Sequence, residues 1–505
     1  MLGVEQGGVN SDKLYKLANN NQLNLAQQSM LGVPLPSRTI SCIGQADDTA
    51  LQANSIFDLQ ALLLLTIEYC KRFNVTLVPE KIKLLAYCPP NQQQYVDYEK
   101  LISPISIDGK YIPFSDSGEH VGVVRSIHGN GPNILSRISA HRRAVFSLLS
   151  SGLARNHRTN PAAAIRVERL HGIPVLLSGL STLVLNISEV SILSSHMKKH
   201  VQNLLKLHDA TPAPVVWFLA GCLPLEAQLH LRMMSLFGMI SRLNEGKNVL
   251  ADHAREMFIR AKPSSKSWFL DIQKICLKYN LPHPIFYLDS PPSKLTFKKQ
   301  VKCAVINYWE QHLRGEAKVA SSLKFFHPEF MSLSVTHRIF TSCGSSPYEV
   351  SKAVIQARCL SGRARIEALE KHWDPRNKDG LCMLCRAEDL NSTSVGSLEH
   401  FLLNGGCPSL AEARLSMLQM INAFLVPRPY LFPVFLNLWG YDSDIMLQLL
   451  LDCSAIPMVI KLAQEMANLK IYDELFYITR TYVAKIFLTR RRLLPRKSVG
   501  KYCRT

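Results

Sequence analysis

The feature that most constrains this chain is a change of hydrophobic period near Pro132. Before that point, alternating and helical spacings are interleaved; after it, apolar residues recur at helical intervals almost throughout. Ile134, Ile138, Val145, Leu148 and Leu149 form one stripe, with Arg137, His141, Arg142 and Arg143 nearby. Asn160 and Pro161 read as the cap and first turn of a further helix, with Gly172 as its stop. Ser188 reads as the cap of another, carrying Val190, Leu193, Met197, Val201, Leu204 and Leu205. The expected fold is therefore α+β at the N-terminus followed by mostly α-helical structure.

The leading part is read as follows. Asp12 to Leu25 has helical spacing; Thr39 to Gly44 alternates like a strand, with Thr49 to Gln52 as its return. Ser55 with Asp58 forms a capping-box-like start to a helix reaching about Arg72. Val75 to Val78 and Lys83 to Cys88 are strand candidates, and Lys262 to Ser267 and Pro282 to Lys294 are linker candidates. The apolar runs Leu59 to Ile67 and Val175 to Leu185 are too short or too interrupted to span a bilayer, so no membrane is expected.

A chain of 505 residues is expected to hold several domains. Hydrophobic content of 47% with 19% charged residues excludes wholesale disorder. The 58 Lys and Arg against 39 Asp and Glu give a net charge of +19, which puts nucleic acid first among partners, ahead of acidic proteins and anionic membranes. The 13 cysteines, odd in number and scattered, fit a reducing compartment. With no basic-then-apolar leader after Met1, the expected location is intracellular, nuclear or cytoplasmic, and the sequons at Asn74, Asn186 and Asn391 are chance matches.

Three stretches carry chemistry. Gly7-Gly8, after Gln6, offers a turn that backbone can bring close to a nucleotide. Asp47-Asp48, between two strand-like runs, offers carboxylates of the kind hard divalent ions require. Each alone is equally a common turn dipeptide; in this order, with a helix between, they suit two-metal nucleotidyl transfer. Cys382 and Cys385, followed by His400 and Cys407, have the spacing of a tetrahedral knuckle, the alternative being four unrelated residues. Arg358 to Arg365 with Lys371-His372-Trp373 form either a phosphate-gripping surface or a solvated helix face. The tail Arg490-Arg491-Arg492, then Arg496, Lys497, Lys501 and Arg504, is a phosphate clamp, a nuclear-import address or a solvated basic end.

Gln6-Gly7-Gly8 with Ser11, then Ala46-Asp47-Asp48, Pro79-Glu80-Lys81 with Lys83, and His120-Val121-Gly122-Val123 resemble, in order, motifs of the reverse transcriptases of non-LTR (LINE-like) retrotransposons. Pro174-Val175-Leu176-Leu177-Ser178-Gly179 resembles the Pro-x-Leu-x-x-Gly stretch after the palm of these enzymes. Leu398 to Leu403 and Cys407-Pro408 resemble the surroundings of their C-terminal Cys-Cys-His-Cys knuckle. The resemblance implies a partial palm over residues 1–130, a thumb-like domain over 131–262, a helical connector over 263–375, a knuckle region over 376–430, and C-terminal helices with a basic tail over 431–505. It implies that Asp47 ligates Mg²⁺ (or Mn²⁺) and Asp48 supports it, that Gln6, Gly7 and Gly8 seat the nucleotide, and that Lys81 assists the pyrophosphate leaving group. Zn²⁺ is implied at Cys382, Cys385, His400 and Cys407, and an RNA template with a DNA primer as partners, with Arg142, Arg143, Arg490, Arg491 and Arg492 as phosphate contacts.

The chain departs from the family pattern at Gln45, where an aromatic is usual, at Glu5, where a cation is commoner, and in the longer gap created by Asn404-Gly405-Gly406. The family's other metal-binding aspartate lies upstream of the Gln-Gly-Gly motif, near which this chain begins. The expectation is an RNA-directed DNA polymerase fragment that does not extend primers alone, with a non-catalytic nucleic-acid-binding remnant as the alternative.

Overall fold

In the computed structural model, the described residues are 11–34, 39–45, 48–87, 105–107, 109–112, 114–120, 122–148, 159–243, 249–262, 265–371, 379–439, 443–466 and 470–494. They are mostly helical with a few small strands. The chain groups into two compact units, one made of Met1–Ala140, Val175–Ser191 and Leu229–Ala304, the other of His141–Pro174, Ile192–Gln228 and Val305–Thr505. Both units draw on stretches distant in sequence, so this grouping does not follow the five consecutive segments expected from sequence.

In the first unit, the helices Ser11–Gln28 and Ile56–Arg72 accompany an antiparallel ribbon in which Cys42–Gln45 pairs with Asp48–Leu51. Gly44 permits close packing here, because a Cβ at that position would lie 3.0 Å from the Leu23 side chain. The Ile56–Arg72 helix starts where its sequence directs: the Ser55 hydroxyl accepts the Asp58 N–H, and Leu62, Thr66, Tyr69 and Cys70 fall on one buried face. Beneath it, Ile56, Leu59, Leu63 and Ile67 pack with Ile105, Ile107 and Ile112. The strand expected at 39–44 divides at Ser41: Thr39–Ile40 pairs with Val33–Pro34, and the remainder joins the ribbon.

Other expectations in this unit need correction. Val75 to Val78 forms no strand, and from Lys83 onward Leu84 makes an isolated bridge to Phe114. A strand is defined by its hydrogen-bonded neighbour, and β-prone composition without one leaves extended chain. The true cap of the helix Ile187–Leu204 is Asn186, not Ser188: its Oδ1 accepts the Glu189 N–H at 2.9 Å, and Glu189 in return accepts the Asn186 N–H at 2.8 Å. The Pro282 to Lys294 linker contains the short helix Pro284–Asp289, capped by His283. A hairpin over Ser117–His120 and Val123–Ser126 does form, and buried Asn133 fastens it by accepting the Val124 N–H at 3.1 Å. Among the described residues the strands make four separate two-stranded ribbons, not one sheet.

The second unit is helical. Asn160 caps Pro161–Val167 as its sequence requires, but Gly172 does not end that helix. The chain passes through a wide π-turn, Glu168–Gly172, closed by the Ile173 N–H bonding to the Glu168 carbonyl, and continues to Leu176. Pro347–Leu360 packs against the long helix Lys470–Leu493, which also meets Ala411–Leu425 and Ser443–Leu451. The Ala213–Ala220 helix is apolar all round because all of Pro214 to Ala220 is buried. It ends at Gly221 (φ +59°), where a Cβ would collide with the Val335 backbone at 2.1 Å. No single helix is long and apolar enough to cross a membrane among the described residues.

A buried acid anchors one corner of this unit. Asp452, with no exposed surface, accepts the Ser454 N–H (3.1 Å) and hydroxyl (2.6 Å) and lies 3.4 Å from His337 Nε2. Burial pushes its carboxyl upward, but His337 and Ser454 outweigh that and hold it below its ordinary value. A depressed carboxylate stabilises the fold above its unfolded pKa, and this contribution is lost as pH falls through the folded value. Asp452→Asn is therefore expected to cost about 2–4 kcal/mol near neutral pH. The difference from the parent should shrink below about pH 4, as read from urea midpoints across pH.

Candidate metal centre and basic surfaces

Cys382, Cys385, His400 and Cys407 come together, and they could hold a metal ion. Each is placed by local sequence. Cys382 sits at the N-terminus of the helix Met383–Glu388, so the two-residue spacer turns Cys385 back toward it. His400 lies in the helix Leu398–Leu402, started by Ser397, whose hydroxyl accepts the His400 N–H at 3.2 Å. The long gap before Cys407 folds back as its glycines suggest. Gly405 adopts φ +75°, a Cβ on Gly406 would strike the His400 carbonyl at 2.1 Å, and the Cys407 N–H bonds that same carbonyl at 2.7 Å.

The spacing fits a tetrahedral ion. Ligand sulfurs about 2.3 Å from a central zinc stand about 3.8 Å apart. Here Cys385 Sγ and Cys407 Sγ are 3.7 Å apart, Cys382 Sγ and Cys407 Sγ 4.0 Å, and Cys385 Sγ and His400 Nε2 3.3 Å. The three sulfurs are buried, which would penalise bare thiolates unless a cation joined them. Without an ion, the hydrogen bond between Cys382 and Cys407 pushes the Cys382 thiol up and pulls the Cys407 thiol down.

The surroundings hold this geometry. Arg414, buried, donates to the Cys407 carbonyl at 2.7 Å and to the Phe401 carbonyl at 3.3 Å. The Tyr482 hydroxyl donates to the Leu402 carbonyl at 2.6 Å. Glu367, with no exposed side-chain surface, accepts the Met383 N–H at 3.1 Å through one oxygen and forms an ion pair with Arg490 through the other, 2.8 Å from Nη2. Arg490 also donates to the Arg365 carbonyl and lies 4.7 Å from the Phe401 ring centre. This corrects the expectation that Arg490 contacts phosphate, because its side chain is only 8% exposed and serves the knuckle instead. Helical periodicity contained the signal: Arg490 continues the buried face of Ile471, Leu475, Tyr482, Val483 and Ile486.

The other expected residues are dispersed or undescribed. Gln6, Gly7, Gly8, Ala46 and Asp47 lie outside the described residues, as do Arg496, Lys497, Lys501 and Arg504. Asp48 is exposed and pairs with Gln45 at the end of its ribbon. Lys81 is exposed at the end of the turn Pro79–Lys81, beside the Glu80–Lys110 ion pair at 2.6 Å. Arg142 and Arg143 are exposed on Gly131–Leu148, and Arg491 and Arg492 are exposed in the last turn of Lys470–Leu493. Cations there also suit the negative end of the helix dipole. Arg358 donates to the Lys206 carbonyl at 2.9 Å, and His372 and Trp373 are outside the described residues.

Sequence reasoning missed a second cluster. Glu168 lies 2.9 Å from both His141 Nε2 and His200 Nε2. His196 Nε2 is 3.0 Å from His141 Nδ1. Burial pushes the Glu168 carboxyl up, but its two histidine partners hold it at about 2. Burial, reinforced by the charges of neighbouring His141 and Arg142, lowers His196 to about 4. No H-E-x-x-H pattern exists, because the acid lies on a different helix from each histidine.

No family model and no curated protein matches this chain. The local geometry makes its own prediction. Glu367→Gln leaves Arg490 buried without a countercharge and should cost about 3–5 kcal/mol. Cys407→Ser should abolish metal uptake at the knuckle while Cys303→Ser, at an exposed cysteine remote in sequence, leaves it unchanged. Metal content by mass spectrometry and thermal melts check both.

Proposed function

We propose that this chain is part of an RNA-directed DNA polymerase of the non-LTR retrotransposon kind, binding template and primer through its basic surfaces and zinc through its knuckle. The observation that carries this reading is the convergence of Cys382, Cys385, His400 and Cys407 within a sequence context that resembles the family's knuckle. A Cys₃His set with sulfur spacings near 3.8 Å suits zinc over the oxygen-seeking ions. The net charge of +19 and the exposed Arg142, Arg143, Arg491 and Arg492 supply the phosphate-facing cations.

In this reading Asp47 and Asp48 bind Mg²⁺, and Lys81 meets the leaving pyrophosphate. The ribbon's antiparallel register and the exposure of Asp48 are compatible with that role. The alternative, nucleic-acid binding without catalysis, shares the cations and the knuckle but makes no use of Asp47.

The test is binding of the purified chain to an RNA–DNA template–primer over a range of salt. Replacing Arg491 and Arg492 together with Gln should weaken binding and flatten the log–log salt slope by roughly 1.5–2, the loss of two phosphate contacts. Binding that ignores both salt and the double substitution would refute the proposal. Primer extension by this chain alone is not expected; extension in Mg²⁺ that disappears in Asp47→Ala would overturn that expectation and exclude binding without catalysis.

A further inference from the structure

We propose that His141, Glu168 and His200 form a second site for a divalent transition ion, zinc by its donor set, separate from the cysteine–histidine knuckle. Three different helical segments each supply one donor. His141 comes from Gly131–Leu148, Glu168 from the π-turn Glu168–Gly172, and His200 from Ile187–Leu204. Their ligating atoms all lie within 4.8 Å of one another. The side chains of His141, Glu168 and His200 are 1%, 2% and 16% exposed, so water does not compete freely for them.

The donor chemistry fits. Two imidazole nitrogens with a carboxylate are a common set for zinc and its neighbours, and both carboxylate oxygens already face an imidazole. Donors on a tetrahedral zinc stand about 3.3 Å apart. The present 2.9 Å spacings would open by a few tenths of an ångström to admit the ion. A void of about 20 Å³ lies beside Glu168, His200 and Leu204, but the surface it exposes is apolar.

Two details point to a built arrangement. Gly172 leaves room for the carboxylate in its present position, since a Cβ there would lie 2.2 Å from Glu168 Oε2. The missing side chain lets the carboxylate fold along its own helix toward the histidines. The other is His196, whose Nε2 faces His141 Nδ1 at 3.0 Å. When a metal takes His141 Nε2, the imidazole proton must reside on Nδ1, and His196 Nε2 is placed to accept it. That is the outer hydrogen bond that fixes tautomer and ring orientation in metal-bound histidines. Proton balance follows: each neutral imidazole moves its Nε2 proton to Nδ1, and any proton on a charged imidazole goes to solvent.

The competing description is a metal-free hydrogen-bond relay with the same distances. Cobalt titration of the full chain, stripped with chelator and kept reduced, separates the two. The knuckle reports through a thiolate-to-cobalt charge-transfer band, which should saturate at one equivalent. The second site should add visible ligand-field absorption, without further charge transfer, up to two equivalents. Glu168→Gln and His200→Asn should each remove the second equivalent and leave the first. His196→Gln should weaken the second by about 10–100-fold, as expected for an outer partner. Should the first two variants misfold, paramagnetic proton spectra of the parent chain decide, with two exchangeable imidazole N–H signals expected from the second ion. Saturation at one equivalent, a second equivalent that survives in folded Glu168→Gln and His200→Asn, or absence of those two signals would each overturn the proposal.

Discussion

The ion pair between Arg490 and Glu367 is the constraint on which the knuckle region depends. Both side chains are removed from water, so neither is tolerable without the other. Their attraction is supplemented by directed bonds. Glu367 holds the first N–H of the helix that carries the Cys-x2-Cys turn, and Arg490 holds the Arg365 carbonyl. The last long helix is thereby tied to a ligand loop about a hundred residues earlier in the chain. Gly396 completes the fit, since a Cβ there would press on the Glu367 carboxylate at 2.5 Å. A metal ion would then bind to donors that are already oriented, and the cost of ordering the loop would fall on folding instead of on binding.

The two histidine-bearing clusters differ in how they reach order. The cysteine site is local: all four donors lie between residues 382 and 407, each set by a helix start or a glycine turn. The His141–Glu168–His200 cluster joins segments 27 and 32 residues apart, each step longer than the 25-residue span of the whole knuckle. Its buried carboxylate is kept ionised by its neighbours and lies against an otherwise apolar lining. In a medium that screens charge poorly, three such groups impose a strict relative placement on their helices.

Helix starts were legible in the sequence because they follow from local chemistry. Ser55 with Asp58, and Asn160 with Pro161, behave as their side chains dictate. Ser188 was misread because Asn186, two residues earlier, offers the better acceptor and gains a reciprocal bond from Glu189. The cysteine cluster was legible because its ligands sit close in sequence with spacings that few other arrangements require. Glu168 was not, since nothing local distinguishes it from a solvated helical glutamate; only tertiary packing brings it to two histidines. Arg490 was masked by its charged neighbours, which made a buried position look like part of a tail. Strands failed where pairing, not composition, decides: Val75 to Val78 has β-branched residues and no partner.

The wide turn at Glu168–Gly172 has a consequence for which kinds of change this helix tolerates. It holds one residue more than a regular turn, and Pro174 follows after Ile173, where a ring would crowd the preceding carbonyls of a tighter helix. The extra residue sets the rotational phase between the helical turns on its two sides. Exchanges on the exposed side, as at Leu170 or His171, leave that phase alone. Loss or gain of one residue would rotate the downstream helix by about 100° and carry Leu176, Leu177 and Leu180 out of the interior. This segment should therefore vary at its exposed positions while keeping Glu168, Gly172 and a fixed length.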